Sequence, residues 1–316
     1  MRHKKKIIVS ILVLISLIFL IALFVSSNYL LDFALVRTET FDEKINPDSS
    51  AEHSEMRKYS EKGRLWAENI NQERVEITSG DGLRLVGTLY QNDSHDYAIL
   101  VHGYKAHKED MQYTASFYYS WGYNVLTPVN RAHGESEGKY VGMGWLDAKD
   151  VLNWIDLILS MDNSANIVLH GVSMGGATVM MASGYDLPSN VKAIVEDCGY
   201  SSVWDIFSDE LKALFSLPEF PLLYVASWLS DIRVGYSFKE ASSLKQLSKT
   251  DIPMLFIHGT EDNFVGYYML DLNSQAKTKG PKEVLRIEGA GHAMSNIVNP
   301  ELYYGTIKEF LSLYNK

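Results

Sequence analysis

Three residues of this chain have the types and the order that nucleophilic catalysis needs: a serine, an aspartate and a histidine. Ser173 lies in the stretch His170–Gly176, which contains the pattern G-x-S-x-G, and Asp262 and His292 follow it in that order. A histidine can accept the proton of an attacking serine, and a carboxylate can fix the tautomer of that histidine. We therefore predict Ser173 as the nucleophile, His292 as the general base and Asp262 as the group that orients the base.

The surroundings of the serine support this interpretation. The apolar run Ile167–Leu169 predicts a strand directly before the motif, and a helix is predicted to begin at Met174. A serine on so tight a strand-to-helix turn has strained backbone angles, so its neighbours must be nearly free of side chain. Gly171 and Gly175 meet this need. The positive end of the following helix would then face the serine and favour an oxyanion there.

The carboxylate that orients His292 has competitors. Asp262 is preferred because it follows the seventh predicted strand. Glu261 is adjacent, but it should point the other way on an extended turn. Asp197 follows the sixth strand and is the second choice, whereas Asp251 precedes its strand and lies at the wrong end of the sheet.

An oxyanion hole requires two backbone N–H donors beside the nucleophile. One should come from Met174, the residue after the serine. The other should come from the loop Val101–His107, which follows the third predicted strand, and we assign it to Tyr104. His102 in the same loop is expected to brace the loop rather than to contact substrate.

Short apolar runs alternate with helix-length segments through most of the chain. An antiparallel hairpin followed by repeated strand–helix units predicts a mostly parallel eight-stranded sheet with helices on both faces. The predicted strands are Val75–Thr78, Leu83–Tyr90, Tyr97–Val101, Tyr123–Val129, Asn166–Leu169, Val191–Val195, Pro253–Ile257 and Val284–Glu288. The predicted helices are Glu109–Trp121, Gly144–Met161, Met174–Gly184, Tyr267–Lys279 and Pro300–Tyr314.

One interval breaks this rhythm. About fifty residues, 201–250, separate two predicted strands, which is far more than one crossover needs. The interval is rich in aromatic and aliphatic residues, and half of them are expected to be plain core. We predict a small helical cap over the sheet, and its composition favours an apolar acyl pocket.

The N-terminus carries a long apolar run. Ile7–Val25 has no charged residue and would span about 28 Å as a helix, close to the thickness of a bilayer's hydrocarbon core. Basic residues precede it, so residues 1–36 are predicted to be a cytoplasmic stub and a single-pass signal-anchor, with the catalytic domain on the outer side of the cell membrane. A cleaved signal peptide, with small residues at Ser26 and Ser27, is the alternative. A buried core helix is the least favoured interpretation.

Between this segment and the first strand lies a polar stretch, residues 37–74, that we interpret as a stalk or docking helix. Pro47–Ser50 is a candidate turn and helix start, and Ala51–Ile70 can form one amphipathic helix. Its candidate apolar positions are Met56, Tyr59, Leu65, Trp66 and Ile70. A loose linker is the alternative. The catalytic domain is predicted to comprise residues 75–316.

Composition excludes several classes of function. The chain has 29 Lys and Arg against 39 Asp and Glu, and so acidic a body would repel the phosphates of nucleic acid. A single cysteine, Cys198, excludes an internal disulfide framework and cysteine-rich metal sites. The sequence contains no motif for zinc, nucleoside triphosphate or dinucleotide binding. We therefore expect no metal and no organic cofactor.

From about Val75 to its end, the chain resembles the α/β-hydrolase superfamily. The elbow around Ser173, the Asp262 turn, the His292 loop and the segment His102-Gly103-Tyr104 carry the resemblance. With its N-terminal segment, the arrangement is similar to membrane-anchored bacterial serine hydrolases related to the prolyl-oligopeptidase-like and bile-acid-acyltransferase-like branches.

A further segment supports the resemblance. Asn130–Gly138 is similar to the R-G-H-G-x-S loop found after the fourth strand in many members, with Ala132 in place of a glycine. Arg131 and His133 in this loop are expected to brace it rather than to contact substrate.

The resemblance implies acyl transfer to water but does not imply a substrate. The activity we expect is that of a carboxylesterase (EC 3.1.1) acting on a small-molecule or lipid-like ester. The alternatives are a serine peptidase, and an acyltransferase or thioesterase with the same triad. Outside enzymes, the alternative is a catalytically silent surface binding module, which would have no reason to keep all of these residues.

Overall fold

An eight-stranded sheet forms the centre of the computed structural model, which describes residues 2–37 and 51–315 of the chain. The strands are β1 Gln72–Thr78, β2 Arg84–Tyr90, β3 Asp96–Val101, β4 Asn124–Pro128, β5 Asn166–Val172, β6 Val191–Asp197, β7 Met254–Gly259 and β8 Lys282–Ile287. Their order across the sheet is β1-β2-β4-β3-β5-β6-β7-β8. β2 pairs antiparallel with β1 and β4, and the other neighbours pair parallel. The prediction of a mostly parallel eight-stranded sheet is confirmed, and the sheet is mixed.

Helices cover both faces of the sheet. The α-helices of the described residues are α1 Arg2–Leu35, α2 Ala51–Ala67, α3 Gln112–Ser120, α4 Trp145–Met161, α5 Met174–Ala182, α6 Val203–Phe215, α7 Leu222–Val234, α8 Ser243–Leu247, α9 Tyr268–Ala276, α10 Ser295–Val298 and α11 Pro300–Tyr314. One core lies between the sheet and α4, α5 and α9, and a second core lies between the sheet and α3 and α11. Successive residues of β5 point into opposite cores, which explains why its predicted run is continuously apolar.

β5 is longer than its apolar run predicts. It continues through His170 and Gly171 to Val172, because parallel pairing with β6 extends as far as Val172 opposite Asp197. Both the residue before the serine and the candidate acid Asp197 are thereby placed at the same edge of the sheet. This edge, where the parallel strands end, is called the carboxyl edge below.

α2 and the residues after it pack against the body through three of the five apolar positions that the sequence predicts, namely Tyr59, Trp66 and Ile70. The other two, Met56 and Leu65, are exposed. Gly63 and Ala67 are also buried, and a Cβ at Gly63 would lie 2.6 Å from the backbone nitrogen of Tyr113 in α3. The face of α2 is therefore set in part by close backbone approach, which a count of apolar residues does not detect. The predicted turn Pro47–Ser50 lies outside the described residues.

α1 is continuous for 34 residues and has two distinct parts. By length and composition it is able to cross a membrane, and its apolar run is exposed throughout Ile7–Ala22. The last part differs, because Ser27, Leu31 and Leu35 are buried against the body. The predicted boundary at residue 36 therefore follows the packed end of this helix.

The interval 201–250 forms three helices, α6, α7 and α8, above the carboxyl edge. α6 begins at Val203, and the side chain of Ser202 caps it by accepting the N–H of Asp205. A bridge between Ser202 and Ser242 closes the base of this segment. We refer to residues 201–250 as the cap.

Candidate active site

Ser173 lies on a tight turn between β5 and α5, with backbone angles of φ 58° and ψ −118°. A non-glycine residue rarely adopts positive φ, and the cost of such strain is of order 1–3 kcal/mol. The turn is held by its neighbours, because the N–H of Ser173 donates to the carbonyl oxygen of Asp197 at 2.8 Å. The serine side chain is thereby raised above the carboxyl edge.

The two glycines of the motif are required by space. A Cβ at Gly171 would lie 2.0 Å from the carbonyl oxygen of Gly175, and a Cβ at Gly175 would lie 2.0 Å from that of Val101. Neither contact is possible for real atoms, and both involve backbone that cannot easily move. The structure thus places both predicted elbow glycines where only glycine fits.

His292 bridges Ser173 and Asp262. Its Nε2 is 2.8 Å from Ser173 Oγ, and its Nδ1 is 2.8 Å from Asp262 Oδ2. An ionised carboxylate only accepts hydrogen bonds, so Nδ1–H donates to Asp262 and Nε2 accepts the serine hydroxyl proton. The ring of Phe264 packs beside His292, with 4.9 Å between the ring centroids. The structure brings all three predicted residues into one hydrogen-bonded chain.

Asp262 is fully enclosed and has more partners than the sequence indicates. Its Oδ1 accepts the N–H groups of Phe264 and Val265 at 3.0 and 2.9 Å. Its Oδ2 lies 3.2 Å from Nε2 of a second histidine, His258. Burial by itself raises the pKa of this carboxyl, but hydrogen bonds from His258 and His292 outweigh it and hold the pKa at about 2. Asp262 is therefore ionised at any physiological pH.

His258 is a partner of Asp262 that the sequence analysis did not identify. It is the second-last residue of β7, is completely buried, and its Nε2–H also points to the carbonyl oxygen of Val265 at 3.0 Å. Its Nδ1 has no hydrogen-bond partner among the described residues. The spacing of four residues between His258 and Asp262 is the signal that was available, but it becomes informative only once the turn is known.

The competing acids are differently placed. Glu261 is exposed, and Asp251 lies before β7. Asp197 is buried beneath the triad, but no hydrogen bond joins it to His292. Burial raises the pKa of Asp197 to about 6, against the lowering effect of the nearby Tyr303 hydroxyl and of the His258 and His292 rings. Asp197 is thus a competing carboxylate whose pKa is influenced by the charge of the His292 ring.

The loop after β3 closes over the serine, as an oxyanion hole requires. A Cβ at Gly103 would lie 3.4 Å from Ser173 Cβ and 3.8 Å from Ser173 Oγ. Tyr104 follows directly and lines the same cavity as Ser173. Met174 begins α5, and the first N–H groups of a helix have no partner within that helix. The assignment of Tyr104 and Met174 as N–H donors fits this geometry and stays a prediction.

Two buried histidines brace the loops beside the site. His102 accepts the N–H of Asn130 at Nε2, 3.0 Å away, so its proton is on Nδ1 and points to the carbonyl oxygen of Gly103 at 2.8 Å. Burial lowers the pKa of His102 to about 3, which keeps the ring neutral. His133 accepts the N–H of Lys105 at 3.1 Å. The loops after β3 and β4 are thus tied to each other.

Arg131 holds the loop after β4 from beneath. It donates to both oxygens of Asp150 at 2.7 Å and to both oxygens of Asp81 at 2.9 and 3.0 Å. Arg131 and Asp150 are both buried, so neither is available to substrate. Ala132, which stands where related loops have glycine, has a φ of 59°, the left-handed region that glycine enters at no steric cost.

An apolar cavity of about 270 Å³ opens above the serine. Its walls come from three parts of the chain. The cap contributes Ile206, Phe207, Glu210, Leu211, Leu214, Phe215, Leu223, Ala226 and Phe238. The loops at the carboxyl edge contribute Tyr104, Lys105, Met143, Ser173, Tyr200, Phe264 and Val265. The N-terminal helix α1 contributes Leu30, Leu31, Phe33 and Ala34. The contribution of α1 is not predicted by the sequence.

α1 is bonded directly to the loop after β3, where the oxyanion hole is predicted. The hydroxyl of Tyr104 donates to the carbonyl oxygen of Ala34 at 2.7 Å. The partner of this hydroxyl is therefore the last turn of α1. The end of the N-terminal helix and the catalytic loop therefore form one packed unit.

Ligand atoms of Cys198, Asp262 and His292 lie within 4.8 Å of one another, which is close enough to consider a metal. The two latter residues are already engaged with each other and with Ser173. Burial and the neighbouring carboxylates raise the pKa of the Cys198 thiol, so the thiolate that a metal needs is disfavoured. The cluster is better explained as two members of the predicted triad with a buried thiol beside them.

Comparison with known proteins covers most of the chain. The family model described as serine aminopeptidase, S33, matches residues 93–214, which include Ser173. The uncharacterized protein YqkD of Bacillus subtilis strain 168 is 28% identical over 225 residues, covering 71% of this chain and 73% of the relative.

Two solved structures illustrate the shared fold. The esterase Pf2001 of Pyrococcus furiosus superposes with a TM-score of 0.65 at 22% identity, covering 78% of this chain and 94% of that one. The acylaminoacyl peptidase of Pyrococcus horikoshii superposes with a TM-score of 0.57 at 20% identity, covering 79% of this chain and 43% of that one. One architecture therefore accommodates both an esterase and a peptidase.

Proposed function

We propose that the chain is a serine hydrolase of the α/β-hydrolase superfamily that cleaves carboxylic esters through an acyl-enzyme. One observation carries the proposal: Ser173 Oγ, His292 and Asp262 are linked by two hydrogen bonds of 2.8 Å at the floor of an apolar cavity. Such a chain activates a hydroxyl as a nucleophile.

In the first half of the reaction, Ser173 Oγ attacks the ester carbonyl carbon while His292 Nε2 takes the serine proton. The carbonyl oxygen becomes an oxyanion, which accepts hydrogen bonds from the N–H groups of Tyr104 and Met174. As the tetrahedral intermediate collapses, His292 gives its proton to the departing alcohol oxygen. Asp262 stabilises the imidazolium between these two transfers.

In the second half, a water molecule takes the place of the alcohol. His292 removes one proton from this water as its oxygen attacks the acyl-serine carbonyl, and the same N–H groups hold the new oxyanion. Collapse releases the carboxylic acid and returns the proton to Ser173 Oγ. The protein ends each cycle in its starting state, so the reaction consumes only ester and water.

Labelling with a fluorophosphonate tests the nucleophile. The full chain should be labelled, and Ser173→Ala should not be. Ser183→Ala is the matched control, because Ser183 is a buried serine at the end of the same helix and donates only to the carbonyl oxygen of Met180. Loss of labelling in Ser183→Ala, or its persistence in Ser173→Ala, would contradict the assignment. A well-folded wild type that takes no label would favour the binding-module alternative.

A peptidase is the second candidate, and Glu210 is the observation that favours it. It is the only carboxylate among the described residues that line the cavity, and burial raises its pKa. A carboxylate there could receive the amino group of a peptide. A panel that pairs p-nitrophenyl esters with aminoacyl p-nitroanilides distinguishes the two activities. Faster anilide cleavage that Glu210→Gln reduces would select the peptidase, and thioester and alcohol acceptors extend the panel to the remaining alternatives.

We also propose that α1 is retained as a single-pass membrane anchor, with the catalytic domain on the outer side. The support is that Ser27, where a signal peptide would be cleaved, is fully buried and donates to the carbonyl oxygen of Leu222 at 3.2 Å. The mass of the purified native chain tests retention, because cleavage would shorten it. Protease treatment of intact cells tests the side of the membrane.

A further inference from the structure

The cap presents large apolar side chains on its outer surface. Phe220 is 72% exposed, Trp228 56% and Ile232 62%, and none of the three lines the cavity above Ser173. Trp228 and Ile232 are one helical turn apart on α7, and Phe220 lies just before that helix. We call these three residues the cap face. Three large apolar side chains that are this exposed and belong to the same segment indicate a contact surface.

α1 determines which side of the body faces a bilayer. Its residues from His3 to Ser26 are exposed, apart from the half-buried Leu23, and Ser27 is the first that the body buries. Ser27 donates to Leu222, the first residue of α7. α7 is therefore the part of the body that lies where α1 emerges, and in a membrane-anchored chain it is the part closest to the lipid.

The orientation of α7 places the cap face outward. Leu223, Ala226 and Leu229 are buried against the body. Trp228 and Ile232 lie on the opposite side of the helix, away from the body. Since Ser27 is bonded to the first residue of α7, the cap face belongs to the helix beside which the apolar run of α1 leaves the body.

The distance along α1 agrees with this placement. Tyr29 is four residues after Val25, or about 6 Å along the helix, which falls within an interfacial layer roughly 5–7 Å thick, and its side chain is exposed. Phe33 lies one helical turn further from the hydrocarbon core, and its ring is 6.3 Å from the ring of Phe215 in the cap. Aromatic side chains at this level are typical of membrane interfaces.

The rim of the cavity belongs to the same surface. Phe33, Leu214 and Phe215 each line the cavity and are also 51%, 61% and 41% exposed. A chain entering between them would pass from the apolar surface to Ser173 along mostly apolar walls. Lys105 and Glu210 are the charged side chains among the described residues that line this cavity, and the Lys105 ammonium lies 5.6 Å from the centre of the Phe33 ring.

We propose that the cap face rests in the interfacial layer of the membrane and that the cavity takes a long-chain acyl ester directly from the bilayer. The membrane contact stands on the cap face and α1 alone. The substrate class rests on the proposed ester hydrolysis as well. A protein partner that covers the cap face is the competing occupant, and the experiments below separate it from lipid.

Contact with lipid is measurable without any catalysis. The only cysteine, Cys198, is buried, so a cysteine introduced at Phe220 or Ile232 in the full chain takes an environment-sensitive fluorophore selectively. Asn163→Cys is the control, because Asn163 is exposed between α4 and β5, at the opposite edge of the sheet. In phosphatidylcholine vesicles, the labels at 220 and 232 should shift to the blue and be quenched by nitroxide lipids, and the label at 163 should not. Labels at all three positions behaving alike would overturn the membrane contact and leave a protein partner as the occupant.

Substrate delivery is tested in the same vesicles with two esters of one fluorophore. Methylumbelliferyl acetate reaches the enzyme through water, and methylumbelliferyl palmitate resides in the bilayer. Phe220→Ser/Trp228→Ser/Ile232→Ser should hydrolyse the acetate as wild type does and lose about tenfold on the palmitate, because three apolar contacts with lipid are removed. Met161→Ser/Leu313→Ser removes two comparably exposed apolar side chains at the opposite edge and should change neither rate.

The outcomes distinguish the two levels of proposal. Hydrolysis of the acetate but not of the palmitate by wild type would refute delivery from the bilayer while ester hydrolysis stands. Hydrolysis of neither ester would refute the proposed function, and the fluorescence result would still decide the membrane contact. Equal losses on both esters in the triple variant would mean that the cap face acts through the fold, which contradicts the proposal.

Discussion

Replacing Asp262 by asparagine is the sharpest test of how the site works. The substitution keeps the size of the side chain but removes its charge, and its amide can present an N–H to the histidine. His292 Nδ1 would then face a donor or a neutral oxygen at the 2.8 Å position where it now donates to a carboxylate. The histidine would lose its tautomer preference and the counter-charge of its imidazolium.

The expected loss is large. The corresponding substitution in the serine protease triad lowers kcat by about 10⁴-fold, or about 5 kcal/mol of transition-state stabilisation. Stability should fall too, because the pKa of Asp262 is about 2 against an ordinary 3.8. A carboxyl with a lowered pKa stabilises the fold above pH 4 and loses this effect as the pH falls towards 2. The shift corresponds to about 2 kcal/mol at neutral pH.

Asp197→Asn is the matched control, and it should act in the opposite direction on stability. The pKa of Asp197 is raised from 3.8 to about 6, so its ionisation costs folding free energy that develops between pH 4 and 6 and is complete above that range. Asparagine removes this cost, so the variant should gain up to about 3 kcal/mol at neutral pH and little at pH 4. Its kcat should fall less than about tenfold, since no hydrogen bond joins Asp197 to His292.

The assay is kcat for a p-nitrophenyl ester with thermal unfolding of each variant followed at pH 4 and 7. A larger kcat loss in Asp197→Asn than in Asp262→Asn would transfer the orienting role to the end of β6 and refute the reasoning. So would a wild-type rate in a folded Asp262→Asn protein. Unchanged stability of Asp197→Asn at pH 7 would show that the buried carboxyl is solvated or paired in a way the structure does not show.

Three further predictions concern the support of the site. His258→Phe should lower kcat about tenfold and leave KM unchanged, because Asp262 loses one hydrogen-bond donor while the cavity is untouched. A changed KM with an unchanged kcat would mean that His258 contributes to substrate binding instead. Gly175→Ala should fail to accumulate as folded protein. Its control is Gly80→Ala, which should fold normally because nothing lies within 4 Å of the added atom. A folded Gly175→Ala protein with full activity would contradict the geometry of the turn at Ser173. Arg131→Met should lower the free energy of unfolding by about 3–5 kcal/mol, because it leaves Asp150 buried and unpaired. Denaturant titration measures this loss, and a loss below about 1 kcal/mol would mean that water replaces the guanidinium as the partner of Asp150.

The G-x-S-x-G motif and the strand and helix on either side of it could be predicted from the sequence. Gly171, Ser173 and Gly175 are neighbours in the chain, and the physical reason for their identity is a backbone contact within one turn and the next strand. The order of Asp262 and His292 follows from the strand alternation, which is encoded by continuous apolar runs. The mostly parallel sheet follows from the same alternation.

The features that the sequence did not reveal depend on contacts between distant segments. His258 acquires its role only when the turn after β7 brings its ring to Asp262. The buried face of α2 also depends on Gly63 approaching Tyr113, a contact that the apolar pattern does not encode, so the pattern was right for Trp66 and wrong for Met56 and Leu65. The wall that α1 adds to the cavity depends on where a helix from the start of the chain meets the cap, and no local pattern carries that information.

The hydrogen bond between Tyr104 and Ala34 has a consequence for how this protein can be handled. Membrane enzymes are commonly made soluble by deleting the anchor, and residue 37 looks like a natural starting point. Here such a deletion would remove Leu30, Leu31, Phe33 and Ala34 from the cavity and the partner of Tyr104 beside the nucleophile. A truncated preparation would lack one wall of this cavity, so substrate preferences measured on it would not be transferable to the full chain.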